Sequence, residues 1–443
     1  MSPQSQARGL IIAAPASGSG KTAITLSLLA LLKQTGLAVS SAKVGPDYID
    51  PAFHQAATGR PCFNLDSWAM PAETLRGLLA AAAEAADLTV IEGVMGLFDG
   101  AEIGPGGAGG STADLALMFD LPVVLVMNVK GQGATAGAVL AGLARHRPGV
   151  RIAGVLFNQV GGAVHRQILA AAADELGMPV LGFVPRLPAL AMPERHLGLK
   201  QAGEIADIEA FLSAAAAAIA PHIDLELFQS MAAPVAASAG LGILGIPPLG
   251  RHIAIARDVA FAFAYPAQLE AWRRQGAILS FFSPLADEAP DQDADAVFLP
   301  GGYPELHAGR LAANATYQDG LRKAAARGAV IYGECGGYMV LGESLTDAGG
   351  RTHPMAGLLP VATSFAQPKL HLGYRHARLM EAGPLGMRGA GYAGHEFHYA
   401  TVEREAGDVA LFQAKDARGN DLAAMGRRNG RVMGSFLHLI SAA

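Results

Sequence analysis

The first half of this chain carries a series of short runs that are apolar on both faces rather than alternating. They are Leu10-Ile11-Ile12-Ala13, Ala38 to Val44, Leu88 to Val94, Val123 to Val129 and Ile152 to Asn158. A strand that is wet on one face alternates polar and apolar residues; one covered on both faces does not. The pattern therefore predicts a parallel sheet buried between helices. Ala-rich stretches such as Leu78 to Ala86 and Phe211 to Ile219 supply helices by propensity, with another from about Lys21. A second series starts afresh with Ile253-Ala254-Ile255-Ala256, Ile278 to Phe282, Ala296 to Leu299 and Ala329 to Tyr332, and turns irregular and β-rich after Gly357. Between the two, 230–250 is small, apolar and rich in Ala, Gly and Pro, and reads as a linker. The expected division is thus 1–229, a linker at 230–250, and a second α/β domain at 251–443. A chain of 443 residues is too long for one ordinary core, and 51% apolar with 6% aromatic content suits packed α/β layers.

Charge and cysteine usage narrow the setting. The net charge is −5 with no basic cluster, which argues against a nucleic-acid partner. The longest strongly apolar runs, such as Leu121 to Met127, are far shorter than a membrane span. No basic flank and long apolar core mark a secretory signal. The two cysteines, Cys62 and Cys335, are not expected to pair, because nothing else suggests an oxidising compartment. A cytoplasmic enzyme is the expectation.

After the first strand, Pro15-Ala16-Ser17-Gly18-Ser19-Gly20-Lys21-Thr22 reads as a phosphate-binding loop at a helix N-terminus. Converging backbone N–H dipoles bind phosphate there, and the glycines permit close approach. Ser17, Gly18, Ser19, Gly20, Lys21 and Thr22 would hold ATP, with Lys21 on the β/γ charge and the Thr22 hydroxyl on Mg²⁺. The motif departs from its usual form at Pro15, where a glycine is usual. Mg²⁺ needs further hard oxygens. Asp47, after the second strand, and Glu92, near the end of the third, are the candidates. A carboxylate in so apolar a run as Val90-Ile91-Glu92-Gly93 is costly without a partner. Asp47 and Asp50 also read as turn residues beside prolines. Asp99, in a glycine-rich loop, reads equally as a substrate contact or a turn initiator.

In the second half, the apolar run Ala329 to Tyr332 ends in Gly333-Glu334-Cys335-Gly336-Gly337. A strand that ends in a tight glycine turn exposes the next side chain at the start of a helix, the geometry of a nucleophile elbow. Cys335 needs an oxyanion hole and a base. Backbone N–H groups of Gly336 and of Gly302, in the Pro300-Gly301-Gly302 turn, are candidates for the hole. His438, His395, His398, His371 and His376 are rivals for the base. His395-Glu396-Phe397-His398 has neither metalloprotease spacing nor the partner cluster of a structural zinc site. Cys62 has no elbow and reads as structural.

Together these segments resemble the cobyrinate a,c-diamide synthase family, glutamine-dependent amidotransferases of corrin-ring synthesis. The likeness is carried by residues 14–22, by Gly45-Pro46-Asp47-Tyr48-Ile49-Asp50-Pro51, by 92–100, by 299–305 and by 333–338. Gly394 to Tyr399 and Gly434 to Ile440 are most similar to the aerobic-pathway branch. The resemblance implies a dethiobiotin-synthetase-like P-loop domain and a class I-like glutaminase domain, with Cys335 as nucleophile and His438 as its histidine. It implies Tyr48, Asp50 and Asp99 near the corrinoid carboxylates. L-glutamine, ATP and a corrinoid, hydrogenobyrinate or cobyrinate, are the implied partners. A homodimer is left open. Class I enzymes add a glutamate two residues after the histidine; here Ile440 stands there, so what fixes the imidazole tautomer is open.

Overall fold

The computed structural model describes residues 7–101, 109–192, 194–195, 198–236, 244–407 and 409–443. Those up to 236 form one compact unit and those from 244 a second. Residues 237–243 of the expected linker lie outside the described residues. Earlier in that stretch, Ala233–Pro234 pairs antiparallel with the first strand.

The first unit is built on an eight-stranded sheet. Its parallel strands are β1 (Arg8–Ala13), β2 (Val39–Val44), β3 (Phe63–Leu65), β4 (Leu88–Glu92), β5 (Val123–Asn128), β6 (Ile152–Val160) and β7 (Val180–Pro185). They lie in the order β3-β2-β4-β1-β5-β6-β7. Every residue of β2 and β4 is buried, as double-sided covering requires. The sequence pattern did not single out β3 and β7. β3 has only three residues, and β7 is interrupted by Gly182 and closed by Pro185. β1 is central, so the loop at its carboxyl end opens beside the ends of β4 and β5, where open α/β sheets bind ligands. Helix α1 (Lys21–Gln34) follows that loop directly and buries Ile24, Leu26, Leu28, Leu29 and Leu32. Helix α2 (Asp50–Thr58) follows β2 and buries Phe53 and His54. The helix expected at Leu78 to Ala86 instead spans Ala72–Ala83. Alanine propensity would carry it further. The Arg60 guanidinium stops it by donating to the Glu84 carbonyl (2.8 Å) and the Ala85 carbonyl (2.6 Å), and Ala85 takes a φ of 51°.

The second unit has a ten-stranded sheet. Its parallel half runs Ile278–Phe282, His252–Ala256, Ala296–Leu299, Val330–Glu334, Val432–Ser435. Its antiparallel half continues Met425–Asn429, Ala410–Asp416, His371–Leu379, Gly391–His398, Leu437–Ala442. Phe436 alone separates Val432–Ser435, in mid-sheet, from Leu437–Ala442, at the far edge. The antiparallel half must therefore curl until its last strand returns beside the parallel half. Leu437, Leu439 and Ile440 are buried, which is the hydrophobic reward for that curl. No helix among the described residues is long and apolar enough to cross a membrane.

Candidate active site

Two constellations stand out, one in each unit. In the first, Gly20 takes a φ of 83° and turns the chain into α1. This left-handed conformation suits glycine and lets successive N–H groups face one point. The loop is braced from within by Ser19 Oγ donating to the Ala16 carbonyl (2.7 Å) and from β6 by Asn158 Nδ2 donating to the Ser19 carbonyl (3.0 Å). Beside it opens a cavity of about 500 Å³, with Gly20, Ile24, Asn158, Arg186 and Leu187 on its wall. Apolar side chains with a few polar groups are the usual lining of a small-molecule site.

Glu92 is the hub beneath the loop. It is fully buried, and four side chains converge on it. Its Oε1 accepts from Thr22 Oγ1 (2.6 Å), Lys21 Nζ (3.0 Å) and Lys43 Nζ (3.2 Å), while Oε2 meets His54 Nε2 at 2.6 Å. Burial would raise the Glu92 carboxyl, but Lys43, Lys21 and His54 outweigh it and hold it well below the usual range. Lys43 also lies 2.9 Å from Asp50 Oδ2. Burial and the neighbouring Asp47 push Asp50 up to about 6 against the pull of Lys43. Burial, with Lys43 close by, lowers Lys21. A buried charge is tolerable only when paired and hydrogen-bonded, and here each is.

The structure thus brings Lys21, Thr22, Asp50 and Glu92 together; Thr22 Oγ1 lies 3.4 Å from Asp50 Oδ2. Asp47 has a different set of bonds: its Oδ1 accepts from the N–H groups of Ile49 (2.7 Å) and Asp50 (3.0 Å) and so shapes the turn that delivers Asp50. Tyr48 is half-buried in the same turn. Asp99 closes its own turn by accepting from Gly96 N (2.9 Å), with its side chain exposed. That loop is tied to the phosphate loop through Leu97 N to the Ala14 carbonyl (2.8 Å). Sequence reasoning missed Lys43, His54 and Asn158. For Lys43 the signal was there: a cation inside Ala42-Lys43-Val44 needs the same kind of partner as Glu92 does.

In the second unit, Cys335 has a φ of 48° and a ψ of −106°, a strained conformation for a residue with a Cβ. Its N–H donates to the Ser435 carbonyl (2.8 Å), which fixes the elbow to the adjacent strand. A Cβ placed on Gly336 would lie 3.1 Å from the Gly302 nitrogen, so the two backbone segments expected to form an oxyanion hole are neighbours. A Cβ on Gly301 would touch both the Cε1–Nε2 edge of His438 (2.3 and 3.0 Å) and Cys335 Cβ (3.3 Å). The base candidate and the nucleophile therefore flank one glycine. Burial depresses His438 to about 3 and pushes the Cys335 thiol up. The resting pair is a neutral thiol beside a neutral imidazole, so the thiol proton must leave as sulfur attacks.

The other histidines sit differently. His395 pairs across the sheet with His438 in backbone register. His398 gives Nδ1 to the Ala400 carbonyl (3.1 Å) and Nε2 to Glu396 Oε1 (3.0 Å), and stacks on Phe436 at 3.8 Å between ring centroids. Glu396 is held by Arg375 at 2.7 Å. His371 stacks on His398 (4.6 Å), and His376 faces Lys415 across the sheet. Glu334, which sequence reasoning passed over, places Oε2 3.7 Å from His438 Nδ1.

Comparison with known proteins matches both units. Residues 10–199 match the model of the CobQ/CobB/MinD/ParA nucleotide binding domain, and residues 252–443 that of the CobB/CobQ-like glutamine amidotransferase domain. The chain is 53% identical over 435 residues to a hydrogenobyrinate a,c-diamide synthase of Brucella anthropi, covering 98% of each. It is 53% identical over 435 residues to that of Rhodobacter capsulatus, covering 98% of this chain and 99% of the relative. It is 51% identical over 432 residues to that of Rhizobium meliloti, with the same coverage. A nucleotide-binding unit and a glutaminase unit on one chain, matched end to end by these relatives, make it a member of the hydrogenobyrinate a,c-diamide synthase family of glutamine-dependent amidotransferases.

Proposed function

We propose that the chain amidates the a and c acetate carboxylates of hydrogenobyrinate, in the cytoplasm, using ATP and the ammonia it releases from glutamine. The observation that carries this reading is the pairing of a cysteine elbow, Cys335 beside His438, with a phosphate loop seated on a buried Lys–Glu cluster. In the glutaminase unit, residues 251–443, Cys335 sulfur attacks the glutamine side-chain amide. His438 takes the thiol proton and returns it to the departing ammonia. N–H groups of Gly302 and Gly336 hold the oxyanion. The thioester is then hydrolysed to glutamate.

In the unit of residues 1–229, the corrinoid carboxylate attacks the γ-phosphate of ATP to give an acyl phosphate with ADP as the leaving group, and ammonia displaces phosphate to leave the amide. Ser17 to Thr22 cradle the phosphates, and Lys21 swings from Glu92 to the transferring group. Lys43 is a second cation in reach of the same carboxylates. The oxygens of Thr22 and Glu92, with the Asp47 carboxylate in the neighbouring turn, form a hard donor set that fits Mg²⁺. When bound, Mg²⁺ supplies charge neutralisation between the phosphates. Tyr48, Asp50 and Asp99 are assigned to the corrinoid side.

The test is the mass of each corrinoid, hydrogenobyrinate and cobyrinate, after incubation with ATP, Mg²⁺ and glutamine. Two successive amidations of hydrogenobyrinate are expected. An unchanged corrinoid in the presence of an active glutaminase would overturn the substrate assignment.

A further inference from the structure

A neutral imidazole can serve Cys335 only as one of its two tautomers. The proton must sit on Nδ1 so that Nε2, on the edge that meets Cys335 at Gly301, carries the lone pair that accepts the thiol proton. Something has to hold that tautomer, and Ile440 cannot.

Glu334 is the carboxylate at hand. It is the last residue of Val330–Glu334 and immediately precedes the nucleophile. Its Oε1 is fixed by two donors, the Leu439 N–H (3.1 Å) and the Tyr332 hydroxyl (3.1 Å). That leaves Oε2 aimed at His438 Nδ1, 3.7 Å away. Both side chains are only 1% exposed. Leu439 directly follows His438, so one carboxylate grips the backbone that carries the ring and faces the ring itself. Burial pushes the Glu334 carboxyl up to about 8, against the pull of the Leu439 N–H and the Tyr332 hydroxyl.

We propose that Glu334 is the positioning residue of the glutaminase: it holds His438 in the Nδ1–H tautomer and steadies the imidazolium formed when Cys335 attacks. The proton moves from Cys335 Sγ to His438 Nε2 and the Nδ1 proton stays in place, facing the ionised form of Glu334, which gains ground as pH rises towards about 8. This rests on the assignment of Cys335 and His438 as nucleophile and base. Triads of this type use the same logic, a base oriented by a third group, whatever the order of residues in the chain. Here the third group comes from the nucleophile's own strand rather than from the strand of the base.

Glu334→Gln is the informative change. The amide oxygen can still accept from Leu439 and Tyr332, but the NH₂ group then faces Nδ1. It would favour a proton on Nε2, which disables the base. The measurement is the ratio of glutamine-dependent to ammonium-dependent amidation, which cancels any loss of folded protein. The ratio should fall about 10²-fold or more, as expected when general base catalysis is disabled. KM for glutamine should stay near wild type, and Glu334→Asp should recover part of the loss. In a His438→Ala background, Glu334→Gln should cost nothing further, whereas a purely structural role would add its own loss. A ratio within about threefold of wild type, or losses that multiply in the double variant, would overturn the proposal. Cys335→Ala, run alongside, separates this outcome from failure of the underlying assignment: if that variant still hydrolyses glutamine, the nucleophile itself has been misplaced.

Discussion

Gly301→Ala should uncouple the base from the nucleophile while leaving the rest of the molecule intact. The added Cβ would lie 2.3 Å from His438 Cε1, 3.0 Å from Nε2 and 3.3 Å from Cys335 Cβ. Carbon atoms in a packed interior rest about 3.5–4.0 Å apart, so the imidazole must retreat by roughly 1 Å or more. It has little room, being fully buried. A displacement of about 1 Å costs on the order of 10²-fold in rate, or about 2.7 kcal/mol of barrier. Overpacking costs a further ~1–3 kcal/mol of stability. The assay compares glutamine hydrolysis with ammonium-dependent amidation on the same preparation. The first should fall about 10²-fold and the second stay close to wild type. Gly142→Ala, where nothing lies within 4 Å of the added atom, is the control and should change neither. A Gly301→Ala enzyme that hydrolyses glutamine at the wild-type rate would refute the placement of His438 against Cys335.

Cys335→Ala should abolish glutamine use yet keep amidation with added ammonium; equal loss with both donors in a folded protein argues against it as nucleophile. His438→Ala should behave in the same way, whereas His395→Ala and His398→Ala should retain more glutamine turnover, and the reverse order would reassign the base. Glu92→Gln and Thr22→Val should cripple phosphate release and amidation with either nitrogen source. Glu92→Gln should also lose about 3–5 kcal/mol in denaturant melts, since Lys21, Lys43 and His54 are left around a neutral group; near-normal turnover and stability would remove Glu92 from the site. Burial alone would lower His54, but Cys62 and Glu92 outweigh it and hold it up at about 10, against 6.5 for a free imidazole. Its stabilisation is therefore complete below about pH 6.5 and lost as pH climbs towards 10. The difference in Tm between wild type and His54→Gln should shrink across that window, and a constant difference would contradict the pairing.

Much of this enzyme is written locally. The phosphate loop and the cysteine elbow are each a strand, a turn and a helix within a few consecutive residues, so their chemistry follows from adjacent side chains and backbone preference. The uninterrupted apolar runs likewise report double-sided burial, because hydrophobicity is a property each strand carries by itself. The short strand Phe63–Leu65 and the early stop of the Ala72–Ala83 helix were not legible, since neighbours impose them: parallel pairing with β2 in one case, the Arg60 guanidinium in the other. Which histidine serves Cys335 was open on residue chemistry alone. His438 stands at Cys335 because the antiparallel half of the sheet curls until its last strand reaches the elbow. The same curl sets Glu334 against His438, although they are far apart in sequence. The convergence of Lys43, His54 and Asp50 with Glu92 and Lys21 also needs the sheet order, which makes β2 and β4 neighbours. Sequence determined the two chemistries; long-range strand pairing decided which distant residues complete them, because burying a charge is tolerable only where the fold delivers its partner.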